Sequence, residues 1–577
     1  MGILVTLGYT PPMRQRLVRF LLALVGLYTL PASAQTPPTP SSAAPVERDA
    51  AMFARDHILE VRLVMTPEDW RAVRLSRPDG GEVTEPLPGD NVYKRHPAEL
   101  WIDGVRVGRV GVRKKGFFGS VVSTRPSLKI KLDDFVKGQA YGGVDDLTLN
   151  NNVQDLSFVN QLLAYDLFSR VGVKVPRANF AHVTVNGEDL GVYTHVEAIS
   201  DGFLTRAFGT DTGALFEGMT GDFTDDRLSK IVGKSGNYRA ERARLERLRD
   251  VLAAPGPLSL PAVEALVDLD AFIRLWAAES LIGHWDGYSG NRNNFYLYVN
   301  PADNRMYFIP WGTDGQFIDP PGGIAYLNPP KSVKAVGLLT QRLWELPAVQ
   351  SRYQAVMREL LAGPWNEARM LADAEGWQKQ IQPLSVIAPA IRDQASQRMR
   401  RFLARRRADV TAELLSGSVP VWPVPPASPQ GPDVPVKVTG TFTAPWGAAV
   451  PANPLEVGVA QLQIQIDGQP VTITSAGAYA LTNTLPNARA GYPGVVLTGI
   501  SGTRTWRITL LFDPLVFGVG PMQIDQFEAR VGVGIIDNGA PQRTRNLGNR
   551  GEVRLEQASA VEGGVLRGSF TLNSFLP

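Results

Sequence analysis

Between an apolar helical run and an aromatic one, residues 283–295 read GHWDGYSGNRNNF, placing His284 and Asp286 just ahead of Asn291, Asn293 and Asn294. Asparagine fills a core poorly, so this density of Asp and Asn calls for a chemical reason. A carboxylate can orient a hydroxyl or take its proton, and an amide oxygen about one turn further on can ligate a hard cation. Asp286 is therefore the candidate catalytic carboxylate and Asn291 a candidate metal ligand. Downstream, PWGTDGQF (310–317) contributes Asp314, and the intervening NNFYLY and MYFI read as two strands of a hairpin that returns it beside Asp286. The competing reading is an Asx-rich turn whose side chains bond only backbone.

Upstream, GVRKKGFFGS (111–120) sets Gly116 and Gly119 beside Lys114, Lys115 and Ser120. Backbone amides of such a turn can cradle phosphate oxygens, with an ordinary basic hairpin as the alternative. In RPSLKIKLDDF, Lys129 and Lys131 share one strand face; Lys129 is favoured as the phosphate-facing ammonium, with Lys131 or plain solvation of both left open. Glu197, ending GVYTHVE, falls either at a hinge between lobes or on the surface.

These residues need elements to position them. Residues 57–64 read as a strand, followed by a helix capped by Thr66 with Pro67 at its first position. Hairpins are expected on Asp103-Gly104 and on Asn186-Gly187, the latter over 178–199, and a further strand at 127–135. A helix is expected over 155–172, with Asp155 as cap and Gly172 as stop. The stretch 269–283 is helical and delivers Asp286 at its end, and helical patterning fills 240–284 and 334–415. A β-rich lobe followed by a helical lobe leaves a cleft between them. The basic helix RMRRFLARRRADV (398–410) reads as a solvated face, and His182 and His195 as structural.

The chain has 577 residues, 44% hydrophobic and 20% charged, with a net charge of +3 and no cysteine. That length asks for more than one core, and the small charge argues against bulk nucleic-acid binding. Absence of cysteine excludes disulfides and thiolate chemistry. From Met13, the basic Arg14, Arg16 and Arg19 precede FLLALVGLYTL and then ASA at 32–34, the pattern of a signal peptide with a mature start at Gln35. The apolar run is too short to be a stable membrane span, and a periplasmic or extracellular location is expected. A Pro/Ser-rich linker occupies 35–50 and a Pro-rich tether 417–436. Residues 437–577 alternate at period two, as in AQLQIQID and TWRITLLFD, and read as an all-β sandwich-like domain.

Asp286 and Asn291 stand 291 − 286 = 5 positions apart, the spacing of the kinase catalytic loop H-R-D-x-x-x-x-N. LTLNNNVQDLSFVNQLLAYDLFSRVG, followed by DLDAFIRLWAAESLIGHWDGYSGNRNNFYLY and FIPWGTDGQF, resembles the spore coat protein H (CotH) kinase family over roughly residues 57–410. The resemblance implies an α+β, two-lobed atypical protein-kinase-like domain at 51–416, with a β-rich N-lobe and a helical C-lobe. It also implies ATP with Mg2+ or Mn2+ in the cleft, and phosphate transfer to Ser/Thr of a protein substrate. Asp286 would be the catalytic residue, Asn291 or Asn294 together with Asp314 the metal ligands, and Lys129 the phosphate contact; Lys115, Gly116 and Glu197 are further nucleotide-site candidates. Family members often carry W-D-x-D where this chain has Trp311-Gly312-Thr313-Asp314, leaving one carboxylate of the two. Two other functions remain in play. One is a catalytically weak or inactive kinase-like surface or matrix binding protein, with cell-surface or carbohydrate contact through the β domain. The other is a metal-dependent hydrolase using Asp286 and Asp314, for which His284 is the sole nearby base.

Overall fold

In a computed structural model of the chain, the described residues are 51–77, 93–116, 118–318, 330–416, 434–447, 449–483, 492–525, 528–537, 540–542 and 549–576. The expected signal segment and first linker, and the tether as far as residue 433, lie outside them.

Seven strands close a barrel: β1 (Ile58–Val64), β2 (His96–Ile102), β3 (Val105–Lys114), β4 (Leu128–Lys131), β5 (Asp146–Asn150), β6 (Ala178–Val185) and β7 (Glu188–Glu197). Their order is β1-β2-β3-β4-β5-β7-β6, and β6 closes the ring by pairing in parallel with β1, Ile58 opposite Phe180 through Leu63 opposite Val185. Both expected hairpins form. Asp103 and Gly104 (φ 49° and 76°) and Asn186 and Gly187 (φ 53° and 82°) adopt the left-handed conformations that match strand twist in a two-residue turn. Alternation then sends Leu59, Val61, Leu100, Val112, Ile130 and Leu147 into one apolar interior.

The helix after β5 spans Asn160–Arg170, starting later than its Asp155 cap suggested. Asn152 and Phe158 have positive φ (56° and 69°), so the chain turns there before it can wind. The Asp155 carboxylate still caps that start, accepting the Ser157 and Asn160 amides at 3.0 and 2.8 Å.

A second sheet joins β8 (Ala214–Gly218), β9 (Ile231–Ser235), β10 (Phe295–Asn300) and β11 (Arg305–Pro310) in the order β11-β10-β8-β9. Hairpin β10–β11 is the one expected from sequence. β8 and β9 carry no pattern long enough to read, being five residues each with a register shift at Leu215/Phe216. Behind this sheet runs the helix Leu269–Ile282, opened by the Asp268 carboxylate on the Ala271 amide and closed by Gly283 at φ 74°. Its Trp276 packs 4.6 Å from Tyr353 of the helix Pro347–Ala362, within the larger of the apolar cores. The chain is thus α+β, and among the described residues no helix is long and apolar enough to cross a membrane.

The C-terminal strands, from Val434–Pro445 to Val565–Leu576, correct one expectation. Eleven strands join in one hydrogen-bonded sheet, ten along a single path and the short Ala540–Gln542 beside it, rather than in two stacked sheets. The long first strand pairs with the last over twelve residues, and Trp446 at its end bridges to Ala480, so the sheet bends back over its own core. Strict alternation along each strand reports which face is buried, but not which neighbour completes the ladder.

Candidate active site

The site begins where the buried helix Leu269–Ile282 stops. Gly283 turns the chain, His284 N–H returns to Glu279 O at 2.8 Å, and the following loop folds under its own asparagines. Asp286 Oδ1 accepts from Asn291 Nδ2 at 2.8 Å; Oδ2 accepts from Asn294 Nδ2 at 2.7 Å and Asn293 Nδ2 at 3.2 Å. Three amides therefore grip one carboxylate, which is more than backbone-bonded Asx turns would give. Arg292 and Asn294 hold positive φ (59° and 49°), conformations that cost energy and persist where surrounding contacts enforce them. Two contacts do so from below: buried Glu279 takes the Ser289 amide at 3.0 Å, and Trp285 Nε1 donates to Gly315 O at 3.0 Å.

Asp314 arrives on the far end of hairpin β10–β11, as expected. Trp311 N–H bonds Asn294 O at 3.0 Å, and Asn160 Nδ2 bonds Gln316 O at 2.8 Å, stitching the segment to the loop on one side and the post-barrel helix on the other. Gly312, at φ 55°, lies so close that a Cβ there would stand 2.6 Å from the Asn294 amide.

The charges interact. Burial lifts the Asp286 carboxyl to about 6; the Asn291 and Asn293 bonds oppose this, and the Asp314 charge adds to it. Burial also raises Asp314, with Lys115 pulling the other way. Asp155, buried beneath, is pushed to about 7 by desolvation, against its Ser157 and Asn160 bonds and with a contribution from Asp314. Burial lowers the Lys115 amine to about 8, with Asp314 and Glu217 resisting and Arg113 and Lys129 assisting. Lys115 Nζ donates to Asn150 Oδ1 at 2.6 Å, and Asn150 in turn to Gln161 Oε1 at 2.8 Å.

Of the sequence candidates, Asp286, Asn291, Asn294, Asp314 and Lys115 come together, with Lys129 in the electrostatic neighbourhood of Lys115. Lys131 is committed elsewhere, to Asp133, Asp145 and Asp146 at 3.0, 2.6 and 3.5 Å. Gly116 sits at the exposed turn after Lys115 with φ 82°, its carbonyl accepting from Tyr93 OH at 3.1 Å. Glu197 is not part of the group. It is buried, and its oxygens are taken by Arg177 at 2.7 Å and Arg206 at 2.5 and 3.0 Å. His284 is fully buried, and desolvation, aided by Lys334, drives its pKa to about 3, so it is no accessible base. Sequence reasoning noted Asn293 without giving it a role and passed over Asn150, for which the run LNNN at 149–152 was the available signal.

The donor set suits a hard divalent cation. Asp314 offers a carboxylate, and Asn291, exposed at the rim, turns its NH2 to Asp286, which leaves its carbonyl oxygen as the ligand-type atom. Among the described residues no three His, Asp or Glu side chains gather as a metal cluster. Few protein ligands, with water and phosphate oxygens completing the shell, is the usual magnesium arrangement.

A carboxylate loop at a helix end, a second carboxylate on the next hairpin and a lysine opposite define a kinase-like site on an α+β frame. Residues 112–396 match the family model described as CotH kinase protein, and the chain belongs to the CotH family. Inner spore coat protein H of Bacillus subtilis (strain 168) is 21% identical over 266 residues, covering 44% of this chain and 73% of that protein. An inner spore coat protein H-like protein of the same organism is 24% identical over 280 residues, 46% of this chain and 80% of its own length. Invasin CotH3 of Rhizopus delemar is 25% identical over 202 residues, 31% of this chain and 33% of that one. Among solved structures, the Helicobacter pylori proinflammatory kinase CtkA aligns over 57% of this chain and 92% of its own at 11% identity. Its TM-score of 0.21 is too low to bear on the fold.

Proposed function

We propose that the chain is an exported atypical protein kinase of the CotH type, with a two-lobed kinase-like domain, that transfers the γ-phosphate of ATP to a Ser or Thr hydroxyl of a protein in the presence of Mg2+ or Mn2+. The observation that carries this reading is the convergence of Asp286 and Asp314 opposite the partly buried amine of Lys115. The Asp314 charge adds to the rise of the Asp286 carboxyl, and Lys115 opposes the rise of Asp314; two buried acids facing a lysine would suit a divalent cation together with a polyphosphate. The family match supports the same assignment.

Asp286, with its carboxyl near 6, is ionised at neutral pH yet basic enough to accept a hydroxyl proton. The three asparagine bonds fix its aim, which is most of what phosphoryl transfer asks of a protein. Asp314 with Asn291 or Asn294 would hold the divalent ion, which would supply positive charge to offset that of the phosphates. Lys115, with Lys129 beside it, would meet the remaining phosphate charge. The basic-then-apolar stretch from Met13 and the ASA at 32–34 support export to the periplasm or beyond the cell.

One feature favours a second reading, a weak or inactive kinase-like protein of the cell surface or matrix: Gly312 stands where family members often carry a further carboxylate. Thermal-shift titration with ATP and Mg2+, followed by transfer from γ-labelled ATP, separates the two. ATP-dependent stabilisation and labelling that Asp286→Ala and Asp314→Ala abolish are expected. A folded wild-type chain that neither binds ATP with metal nor transfers phosphate would leave the second reading standing.

A further inference from the structure

The loop joining β3 to β4 carries Lys115 and Gly116, and it is held from two sides. On the barrel side, Lys115 N–H bonds Ser127 O at 2.9 Å and Ser127 N–H bonds Ser120 O at 2.8 Å. The buried Arg125 donates to Leu190 O at 2.7 Å and to the carbonyls of Asn151 and Val192. On the other side the loop meets the C-terminal sheet. The Ser123 hydroxyl donates to the Asp513 carboxylate, and both residues are buried. Lys114, 1% exposed, gives its ammonium to Ser76 O and Val121 O, each at 3.2 Å, and Asp513 is the negative charge that most counters its burial.

Asp513 is itself rigidly seated. Its Oδ1 takes the Leu515 amide at 2.9 Å, and its own N–H donates to Glu528 O at 2.8 Å. Nearby, Arg77 reaches Asp525 at 2.8 Å and Glu528 at 2.6 Å, and the Arg71 guanidinium reaches Leu515 O at 3.4 Å. Acids on the C-terminal sheet thus face cations that flank the Lys115 loop. A buried carboxylate left without its partners costs several kcal/mol, so these contacts favour one seating of sheet against loop. A tethered adhesion module would require none of them.

We propose that the C-terminal β domain is a positioning element for the nucleotide loop in cis: Asp513, acting through Ser123, holds the 115–127 loop so that Lys115 reaches Asn150 and faces Asp314. The proposal deepens, and rests on, the phosphate-transfer reading above. Its physical content is pre-organisation. A loop ordered before ligand arrives does not charge that ordering entropy against nucleotide binding. Asp513 is then a positioning residue that touches no substrate.

The test uses the full chain and the variants Ser123→Ala, Asp513→Ala, Asp513→Asn and the Ser123→Ala/Asp513→Ala double. Hydrogen exchange is read on peptides spanning 115–127, with β10 as internal reference, and the Kd for ATP with Mg2+ is measured in parallel. Each alanine variant should speed loop exchange roughly tenfold and weaken ATP by a similar factor, the worth of one hydrogen bond. The double should be no worse than Asp513→Ala alone, because Ser123 acts through Asp513, and Asp513→Asn, which keeps an acceptor for Ser123, should recover the part that Ser123→Ala loses. Unchanged loop exchange, or a loosened loop with unchanged ATP affinity, would overturn the proposal. Should Asp513→Ala unfold the C-terminal sheet, Ser123→Ala carries the test from the barrel side. A wild-type chain that fails to bind ATP would sink the kinase reading instead, and the exchange result still decides whether Asp513 holds the loop.

Discussion

Replacing Asp286 with Asn should end phosphate transfer while making the protein more stable at neutral pH. Burial lifts this carboxyl from 3.8 to about 6, against the pull of the asparagine bonds. Between those two values the folded chain keeps a proton that the unfolded chain releases, so stability falls as pH rises across the window. A difference of about two pH units corresponds to about 3 kcal/mol of instability, fully present at pH 8 and absent below pH 4. Asn has no charge to desolvate and escapes that cost. Its NH2, however, must face at least one of the amide donors of Asn291, Asn293 and Asn294, which costs about 1 kcal/mol. The net gain at pH 8 is then about 2 kcal/mol. At pH 4 it vanishes or reverses, because protonated Asp presents the same mixture of donor and acceptor. For a domain of this size the gain is a Tm rise of roughly 3 °C. Thermal melts of wild type and variant at matched pH from 4 to 8, without nucleotide or metal, give the comparison. A Tm difference that does not change with pH, or a variant less stable than wild type at pH 8, would refute the claim that Asp286 is a carboxylate held under electrostatic strain.

Two other perturbations reach the same site. Lys115→Ala should weaken ATP roughly tenfold or more, the loss of a charge-assisted bond, and more than Lys129→Ala does; because burial lowers the Lys115 amine to about 8, wild-type affinity should decline as pH rises through that value and the decline should be missing from the variant. Gly312→Ala places a side chain at φ 55° with its Cβ 2.6 Å from the Asn294 amide. It should cost roughly 1–3 kcal/mol in thermal melts and lower kcat through displacement of Asn294 from Asp286, whereas full activity would mean that this amide does not matter to the carboxylate.

The local readings held where residue type alone imposes a conformation. Asp103-Gly104 and Asn186-Gly187 tolerate left-handed backbone, so their hairpins were legible in the chain. Thr66 and Pro67 marked a helix start for the same kind of reason, since the Thr66 side chain satisfies an orphan amide within a few residues. The grouping of Asp286, Asn291 and Asn294 was also local, within nine residues of one loop, and Asp314 required only that one hairpin turn back. What needed tertiary structure was every choice between equivalents. Lys129 and Lys131 look alike in a strand; only the approach of Asp133, Asp145 and Asp146 takes Lys131 away, and only the fold around Asn150 and Asp314 singles out Lys115. Glu197 could have stood at a cleft until Arg177, just ahead of β6, and Arg206, on the helix Asp201–Phe208, closed over it. The parallel seam between β1 and β6, and the Ser123–Asp513 contact across 390 residues, leave no trace in periodicity. Side-chain alternation reports burial of a face, whereas ladder partners and long-range ion pairs are set by how whole elements pack, a matter of shape and desolvation summed over the fold.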